Sequence, residues 1–416
     1  MSTILFNLKK KLLILWLVTS CTTPIPSEEP TTTTPTSTLA VQTSLPTSTT
    51  IAVPVISADA NSNGSMFRGD LQHTGVFDAG GSQPAGELKW KFETDGQVWS
   101  SPAIADGALY FGSVDENLYA VDLEGGQEKW RFKTGGSVIS SPAIADGVIC
   151  FGSDDMRLYA LDVQTGNVIW QFDTGGTVRS SPAIFDGVVY FGSDDTYLYA
   201  VDLQSGQEIW KFKATSTFRQ SSPAIADGTI YIGSNNGFLY AVDLSTGTEK
   251  WNFQAGADLH PSPDLLIHIS GSPAIADDLV YFGTTASDTH LYALDVQTGK
   301  EKWKLKVSGG VFTSPAVVDG IVYFGSAGAH SYFYAVDVQT MQEVWKFATG
   351  SAVLSSPAIA AEAVYFGSSK YLYGVDIETG QELWKFQAED EVFTSPVISD
   401  GVAYVGSYDT NMYAIK

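Results

Sequence analysis

The sequence predicts an all-β fold, an eight-bladed β-propeller of four-stranded antiparallel blades. Two observations support this prediction: a unit that divides into four short strands, and the recurrence of that unit about every 40 residues. The clearest copy is Ser141–Trp170, SSPAIADGVICFGSDDMRLYALDVQTGNVIW. Apolar runs alternate with turn residues throughout it, and no helical period fits its apolar positions.

The strands of this unit are bounded by residues with a strong preference for turns. Asp146-Gly147 is typical of a two-residue type I′ hairpin turn, which needs positive φ at both positions. A polar loop follows the second strand, and Asp162–Gly166 forms the last turn. The predicted strands are Pro142–Ala145, Val148–Gly152, Leu158–Leu161 and Val168–Phe172.

Two landmarks of the unit recur eight times. Successive tryptophans are 40, 40, 40, 41, 52, 42 and 39 residues apart. The serine-proline steps contain Pro102, Pro142, Pro182, Pro223, Pro273, Pro315, Pro357 and Pro396. The tryptophans are Trp90, Trp130, Trp170, Trp210, Trp251, Trp303, Trp345 and Trp384. Eight copies predict eight blades, which occupy residues 86–416.

The two ends of the repeat region predict how the ring closes. The last copy stops after its third strand, Asn411–Ile415, while an unmatched fourth strand, Gly86–Phe92, precedes the first copy. Pairing the N-terminal strand with the last blade completes eight blades and removes an open edge.

The N-terminal region predicts export and a lipid anchor. Residues 1–21 resemble a signal peptide, with a basic region at Lys9–Lys11 and a short apolar core at Leu12–Val18. The signal ends in Val18-Thr19-Ser20-Cys21, which resembles the lipobox of bacterial lipoproteins, whose cysteine is acylated. The alternative is an ordinary secretory signal with an incidental cysteine. We expect attachment to the membrane through this anchor only, on the extracytoplasmic side of the cell envelope, at the outer membrane or cell surface.

Residues 22–64 form a predicted disordered tether, and residues 65–85 a lead-in segment. Thr22–Thr50 holds 12 Thr, 4 Ser and 5 Pro among 29 residues, too polar to build a core. In the lead-in, Asp70 and His73 suggest catalysis, but packing of this segment against the propeller is the preferred interpretation.

Cys150 replaces a tyrosine of other repeats, which predicts a buried thiol.

Charge limits the class of partner. The formal net charge is −23 at pH 7. A body so acidic repels phosphate backbones, and we therefore expect no nucleic acid as partner.

The repeated phrase resembles the repeat of the pyrroloquinoline-quinone-like (PQQ-like) β-propellers over Leu88–Lys416. One branch comprises quinoprotein dehydrogenases, which hold the quinone with calcium under an adjacent pair of cysteines. The other branch is non-enzymatic and includes the lipoprotein subunit of the β-barrel assembly machinery. A lipid-anchored propeller whose body has one cysteine, Cys150, resembles the second branch. This resemblance implies no enzymatic activity and no cofactor.

Differences between the repeats predict which face binds. In a four-stranded blade, the first-to-second and third-to-fourth turns share one face, here called the turn face. The second-to-third loops and the blade-to-blade connections share the other, the variable face, where every length change falls. The insertions are Asn252–Gly271, Thr284–His290 and Ala327–Tyr332. They are expected to lie side by side and to form part of the binding face.

Four histidines lie in these insertions: His260, His268, His290 and His330. Together with nearby aspartates they would suit a zinc-like ion, but their spacing matches no metal motif. Solvated loop residues are the preferred interpretation, and no metal is expected.

A ring of residues two positions before each Ser-Pro step, or before its equivalent, is expected at the mouth of the channel on the variable face. It combines an apolar arc with a polar one, a mixture that binding hot spots favour. The alternative is that these side chains plug the channel. The ring is Trp99, Ile139, Arg179, Gln220, Ser270, Phe312, Leu354 and Phe393, with Arg219 beside Gln220.

These features predict a monomeric, non-catalytic binding scaffold with a protein partner at the cell envelope. The resemblance implies a role in outer-membrane protein assembly. The alternatives are a cell-surface carbohydrate-binding, adhesion or sensing module, and, less favoured, a PQQ-dependent dehydrogenase.

We predict that Cys21→Ser releases the protein from the membrane fraction, because no other segment is apolar enough to hold it. One acyl chain binds a bilayer only marginally, so stable attachment needs the several chains that lipoproteins carry. Fractionation followed by a high-salt wash measures this. Retention of the variant in washed membranes would contradict the anchor.

Overall fold

The computed structural model describes residues 65–78, 80, 83–257 and 266–416. The predicted signal peptide, the tether and His260 lie outside these residues. The fold is an all-β propeller of eight four-stranded antiparallel sheets, as predicted. Within the described ranges, no helix is long and apolar enough to cross a membrane.

Two strands precede the first complete blade, β1 (Val76–Phe77) and β2 (Leu88–Glu93). Blades 1 to 4 follow in chain order, each running from the axis outward. Blade 1 consists of β3 (Ala103–Ala105), β4 (Ala108–Gly112), β5 (Asn117–Asp122) and β6 (Glu128–Lys133). Blade 2 consists of β7 (Ala143–Ala145), β8 (Val148–Ser153), β9 (Arg157–Asp162) and β10 (Val168–Asp173). Blade 3 consists of β11 (Ala183–Phe185), β12 (Val188–Gly192), β13 (Tyr197–Asp202) and β14 (Glu208–Lys213). Blade 4 consists of β15 (Ala224–Ala226), β16 (Thr229–Gly233), β17 (Phe238–Asp243) and β18 (Glu249–Gln254).

Blades 5 to 8 repeat this order, and two short extra strands, β19 (Ile267–His268) and β22 (Thr285–Ala286), accompany blade 5. Blade 5 consists of β20 (Ala274–Ala276), β21 (Leu279–Gly283), β23 (His290–Asp295) and β24 (Glu301–Lys306). Blade 6 consists of β25 (Ala316–Val318), β26 (Ile321–Gly325), β27 (Tyr332–Asp337) and β28 (Glu343–Ala348). Blade 7 consists of β29 (Ala358–Ala360), β30 (Ala363–Ser368), β31 (Tyr371–Asp376) and β32 (Glu382–Gln387). Blade 8 has β33 (Val397–Ser399), β34 (Val402–Gly406) and β35 (Asn411–Ile415).

The N-terminal strand closes the ring as predicted. β2 pairs antiparallel with β35, with Lys91 opposite Tyr413, and supplies the fourth strand of blade 8. The structure adds a contact that the sequence did not predict: β1 pairs in parallel with β29, the innermost strand of blade 7. The segment before β2 therefore runs along the axis before it reaches the outer rim.

The turns have the predicted backbone. Asp146 and Gly147 have φ values of 50° and 78°, the two positive angles of a type I′ turn. In the outer turn, the Oδ1 atom of Asp162 accepts hydrogen bonds from Thr165, and these bonds lower the pKa of Asp162. Cys150 is fully buried, and burial raises the pKa of its thiol. This confirms its interpretation as a core residue.

Serines of the Ser-Pro steps form a closed ring of hydrogen bonds around the axis. The backbone N–H of Ser101 donates to the Oγ atom of Ser141 at 3.0 Å, and each blade repeats the bond with the next blade. The last serine returns to the first, since Ser395 N–H donates to Ser101 Oγ, also at 3.0 Å. The intermediate members are Ser181, Ser222, Ser272, Ser314 and Ser356, with N–Oγ distances between 2.8 and 3.3 Å.

The repeated tryptophans lie between neighbouring blades. Trp90 of blade 8 donates its Nε1–H to the carbonyl of Leu123 in blade 1 at 3.1 Å. Its indole covers Gly126, where a Cβ atom would lie 2.6 Å from the ring and where φ is 68°. Glycine is therefore required in this turn both for its backbone angle and for the space it leaves.

Blade 6 breaks this pattern. Met341 occupies the turn position that is glycine in the equivalent turns, and its φ is 59°. The indole that faces this position in the repeat is Trp303 of blade 5. Its buried Nε1 has no hydrogen-bond partner among the described residues. At the equivalent glycines a Cβ atom would lie 2.5 to 2.8 Å from the facing indole, so any side chain at this position excludes the usual indole placement, which explains the lost bond.

We predict that Met341→Gly stabilises the protein by about 1 kcal/mol, because it removes a left-handed conformation from an L-residue and readmits the Trp303 indole. Thermal melting of the variant measures the gain. The reciprocal control is Gly299→Met beneath Trp251, which should lower the melting temperature. A drop in melting temperature for Met341→Gly would contradict this account.

Candidate functional site

The lead-in segment fills the central channel. Its backbone carbonyls accept hydrogen bonds from the second residue of the innermost strand in five blades. Ser65 accepts from Ile144 at 2.8 Å, and Leu71 accepts from Ile225 at 2.7 Å. The remaining pairs are Gln72 with Ile275, Thr74 with Val317 and Gly75 with Ile359. A segment that bonds to blades 2, 4, 5, 6 and 7 must lie inside the ring.

Buried polar side chains hold this segment in place. Arg68 donates to the carbonyl of Pro315 at 2.8 Å and to that of Pro357, and burial lowers its pKa to about 9. The imidazole of His73 donates through Nδ1 to the carbonyl of Pro273 at 3.1 Å. Burial, with the charge of Arg68, lowers the pKa of His73 to about 3, so this imidazole is neutral at pH 7.

Asp70 has local partners in the same segment. It accepts the backbone N–H of Thr74 at 3.0 Å and the Thr74 hydroxyl. Burial raises its pKa, while these bonds and Arg68 oppose that shift. Asp70 and His73, which suggested catalysis in the sequence, are therefore both engaged in the channel, Asp70 with Thr74 of its own segment and His73 with Pro273 of the propeller.

The predicted ring of residues lies on the variable face, immediately before the innermost strands. Trp99, Ile139, Arg179, Ser270, Phe312, Leu354 and Phe393 are half-buried, whereas Arg219 and Gln220 are exposed. Because residues 65–77 occupy the channel, the ring surrounds a filled axis. This arrangement differs from the alternative in which the ring side chains themselves plug the channel.

An aromatic cluster forms the most distinctive part of this face. The Trp99 and Phe393 rings lie 5.4 Å apart, and both stack on Tyr408, at 5.2 and 5.3 Å between ring centroids. Leu354 adjoins the cluster, since it lines a small cavity of about 30 Å³ together with Phe393 and Glu391. We call the three aromatic residues Trp99, Phe393 and Tyr408, together with the adjoining Leu354, the aromatic cluster.

Tyr408 was not among the residues that the sequence pattern indicated. It lies in the second-to-third loop of blade 8, at a position that is aspartate in blades 2 and 3, namely Asp154 and Asp194. This change of residue type was the signal that could have revealed it. Burial, followed by the charge of Glu391, raises the pKa of Tyr408, and burial and Asp390 raise the pKa of Glu391.

One residue of the polar arc already has a partner within the same chain. Arg179 forms a bidentate ion pair with Asp154, with Nε–Oδ1 and Nη2–Oδ2 distances of 2.7 and 2.9 Å. Such a pair fixes the guanidinium plane. Arg219 and Gln220 remain exposed beside it.

The three insertions lie side by side, as predicted. β19 of the first pairs antiparallel with β22 of the second, with Ile267 opposite Ala286. The third meets the second through the connection between blades 5 and 6: Ala327 forms a backbone bridge with Gly310, and the N–H of Val311 donates to the Thr284 carbonyl at 2.9 Å. A Cβ atom on Gly310 would lie 2.9 Å from the Phe312 ring and 3.2 Å from Thr285, which places this ring residue against the insertions.

The histidines of these insertions have separate environments. His268 bonds through Nδ1 to the carbonyl of Asn235, and His290 bonds through Nδ1 to the buried carboxylate of Asp288. His330 is exposed and lines an open cavity of about 210 Å³. In the ranges that the structure describes, no three His, Cys, Asp or Glu side chains are grouped to hold a metal ion.

Solved structures with this fold include enzymes and non-enzymes. The chain is similar to BamB from Moraxella catarrhalis, at 18% identity over 79% of this chain and 98% of that chain, with a TM-score of 0.68. It is similar to a europium-containing methanol dehydrogenase at 15% identity, over 83% and 90% of the two chains, with a TM-score of 0.71. The quinohemoprotein alcohol dehydrogenase from Comamonas testosteroni matches at 16% identity, over 85% and 80%, with a TM-score of 0.73. At these identities the likeness establishes the fold alone.

A family model covers the whole propeller. The model described as outer membrane protein assembly factor BamB matches residues 79–184, 164–290 and 268–416. No curated protein matches the chain. The chain therefore belongs to the PQQ-like β-propeller family whose model is that of the outer membrane protein assembly factor BamB.

Proposed function

We propose that this protein is a non-catalytic scaffold that binds a protein partner through its variable face. The observation that carries the proposal is the half-exposed aromatic cluster beside a filled channel. Clustered aromatic residues are enriched at binding hot spots because they bury a large area with few rotatable bonds. The turn face offers repeated tight turns instead, which give a partner little to distinguish.

Family membership supports a protein-interaction role. The family model is named for an assembly factor of outer-membrane proteins, which acts on other proteins. The broad variable face, with three adjacent insertions, is suited to a macromolecular partner. We propose that the partner is a component of outer-membrane protein assembly.

The proposed location is the cell envelope, with a lipid on Cys21 as the anchor. The basic and apolar regions before Cys21 support this location, as does the family.

We further propose that the protein has no quinone-dependent dehydrogenase activity. Residues 65–77 occupy the axis, with Arg68 and His73 bonded to prolines of three blades. Cys150 is buried in blade 2, so it cannot supply the pair of cysteines that the enzymatic branch places over its quinone.

We predict that Trp99→Ala weakens partner binding by about 2 kcal/mol, because it removes the largest ring of the aromatic cluster. The measurement is recovery of outer-membrane assembly proteins that co-purify with the full chain from native membranes. Recovery of polysaccharide instead would favour a carbohydrate-binding module.

Two controls separate lost binding from lost folding. Gln204→Ala alters an exposed turn-face residue and should change neither binding nor melting. Trp345→Ala removes an inter-blade indole, and should lower the melting temperature without reducing binding by the folded fraction. Normal binding by well-folded Trp99→Ala would place the interface elsewhere.

We predict no dye reduction by the purified protein with added PQQ, Ca²⁺ and primary alcohols, because its own chain fills the axis. Turnover at rates of ordinary enzymes, about 1–10³ s⁻¹, would refute the non-catalytic proposal. A quinoprotein alcohol dehydrogenase assayed in parallel serves as the positive control.

A further inference from the structure

The connection between blades 7 and 8 places acidic side chains beside the aromatic cluster. It reads Glu389-Asp390-Glu391, and all three residues are exposed. Glu389 is paired with Lys91 at an Oε1–Nζ distance of 3.4 Å. Lys370, in the adjacent loop, donates to the backbone carbonyl of Glu389 at 2.6 Å. Within the described part of the chain, Asp390 and Glu391 form no ion pair, so two negative charges remain here without a cation.

The backbone fixes these charges against the rings. The N–H of Tyr408 donates to the Glu391 carbonyl at 2.9 Å. Both carboxylates act on the phenol, since after burial their charges raise the pKa of Tyr408. The indole N–H of Trp99 already donates to Gln97 at 3.1 Å. The cluster therefore offers a ligand its aromatic rings and two adjacent carboxylates.

The small cavity beside the cluster has polar and apolar walls. Glu391 and Phe393 line it, together with Ser351 and Ser369. Neither serine hydroxyl is hydrogen-bonded to another residue that the structure describes. A volume of about 30 Å³ admits one or two water-sized groups, because a single water needs about 10–15 Å³. The cavity thus has room for the end of one polar side chain.

The cavity exists because the loop between β30 and β31 is short. In five other blades, a residue of the second-to-third loop donates its N–H to the carbonyl of the preceding connection, at 2.9 Å in each. The pairs are Val114 with Gln97, Asp154 with Ser137, Asp194 with Thr177, Asn235 with Thr217, and Tyr408 with Glu391. Blade 7 joins its strands through Ser369 and Lys370 alone. The Ala352 carbonyl, at the equivalent position, accepts the Ser368 hydroxyl at 3.1 Å instead. The missing loop residue leaves the space open.

We propose that the aromatic cluster and this cavity bind a lysine side chain of the protein partner. The ammonium group enters the cavity, where the Glu391 carboxylate and the hydroxyls of Ser351 and Ser369 accept its hydrogen bonds. The methylene stem of the lysine lies against the rings of the cluster. This inference rests on the proposed function of the variable face and names the chemistry recognised there.

Charge and size identify the occupant. Carboxylates without a partner attract a cation, and the adjacent ring faces, which are themselves negative, attract it further. The ammonium of lysine is compact, whereas the guanidinium of arginine is planar and too large for a cavity of about 30 Å³. The net charge of −23 opposes a second copy of this chain as the source of the lysine and favours a basic partner.

Carbodiimide cross-linking of the full chain in native membranes tests the proposal. The reagent condenses a carboxylate with a lysine amine to an amide, takes up the water that is lost, and does not couple arginine. Lys370→Arg is used as the background, because it removes an amine of the chain itself from the adjacent loop. We expect mass spectrometry to find a partner peptide joined through lysine to Asp390 or Glu391. Without the cross-linker, Glu391→Gln should lower recovery of that partner about tenfold.

The matched control is Glu378→Gln. It neutralises an exposed glutamate on the turn face of blade 7 and should change neither the link nor the recovery. The absence of a lysine link at Asp390 or Glu391, a link to an ethanolamine lipid in its place, or undiminished recovery with Glu391→Gln would overturn the proposal.

The outcomes separate this proposal from that of the interface itself. Partner loss with Trp99→Ala, but no lysine link in the parent chain, would refute lysine recognition and leave the interface in place. Normal recovery with well-folded Trp99→Ala would refute the interface.

Discussion

The ring of serine hydrogen bonds is the interaction on which the rest of the structure depends. Each Ser-Pro serine donates its N–H to the hydroxyl of the next blade, and Ser395 donates to Ser101 to close the circle. Each bond contributes on the order of 1 kcal/mol, but together they fix where every innermost strand begins. The proline that follows each serine has no N–H to leave unsatisfied in the crowded axis.

A symmetric ring leaves an axis lined with strand edges, and the chain fills it with one asymmetric segment. Ser65, Leu71, Gln72, Thr74 and Gly75 supply carbonyl acceptors to different blades. Arg68 is tolerated in this interior because two proline carbonyls receive its guanidinium hydrogens. The filled axis leaves the two faces and the outer rim as the accessible surfaces.

The proposed interface lies where single repeats depart from the others. Tyr408 replaces a loop aspartate and completes the aromatic cluster, while the insertions add surface beside Phe312. A repeat protein repeats what folding requires, and function is free to use the positions that differ.

The sequence by itself determined the blade number, the strands, the type I′ turns, the closure by β2 and the core position of Cys150. These features are local, or repeat at a fixed period, and the hydrophobic pattern and turn chemistry specify them directly. The aromatic cluster, the ion pair between Arg179 and Asp154, and the path of residues 65–77 were decided only by the tertiary structure. Trp99 and Tyr408 are 309 residues apart in the chain and meet because the ring closes. The lead-in has no repeat period to reveal its place, since its backbone carbonyls at Ser65, Leu71, Gln72, Thr74 and Gly75 each bond to a different blade.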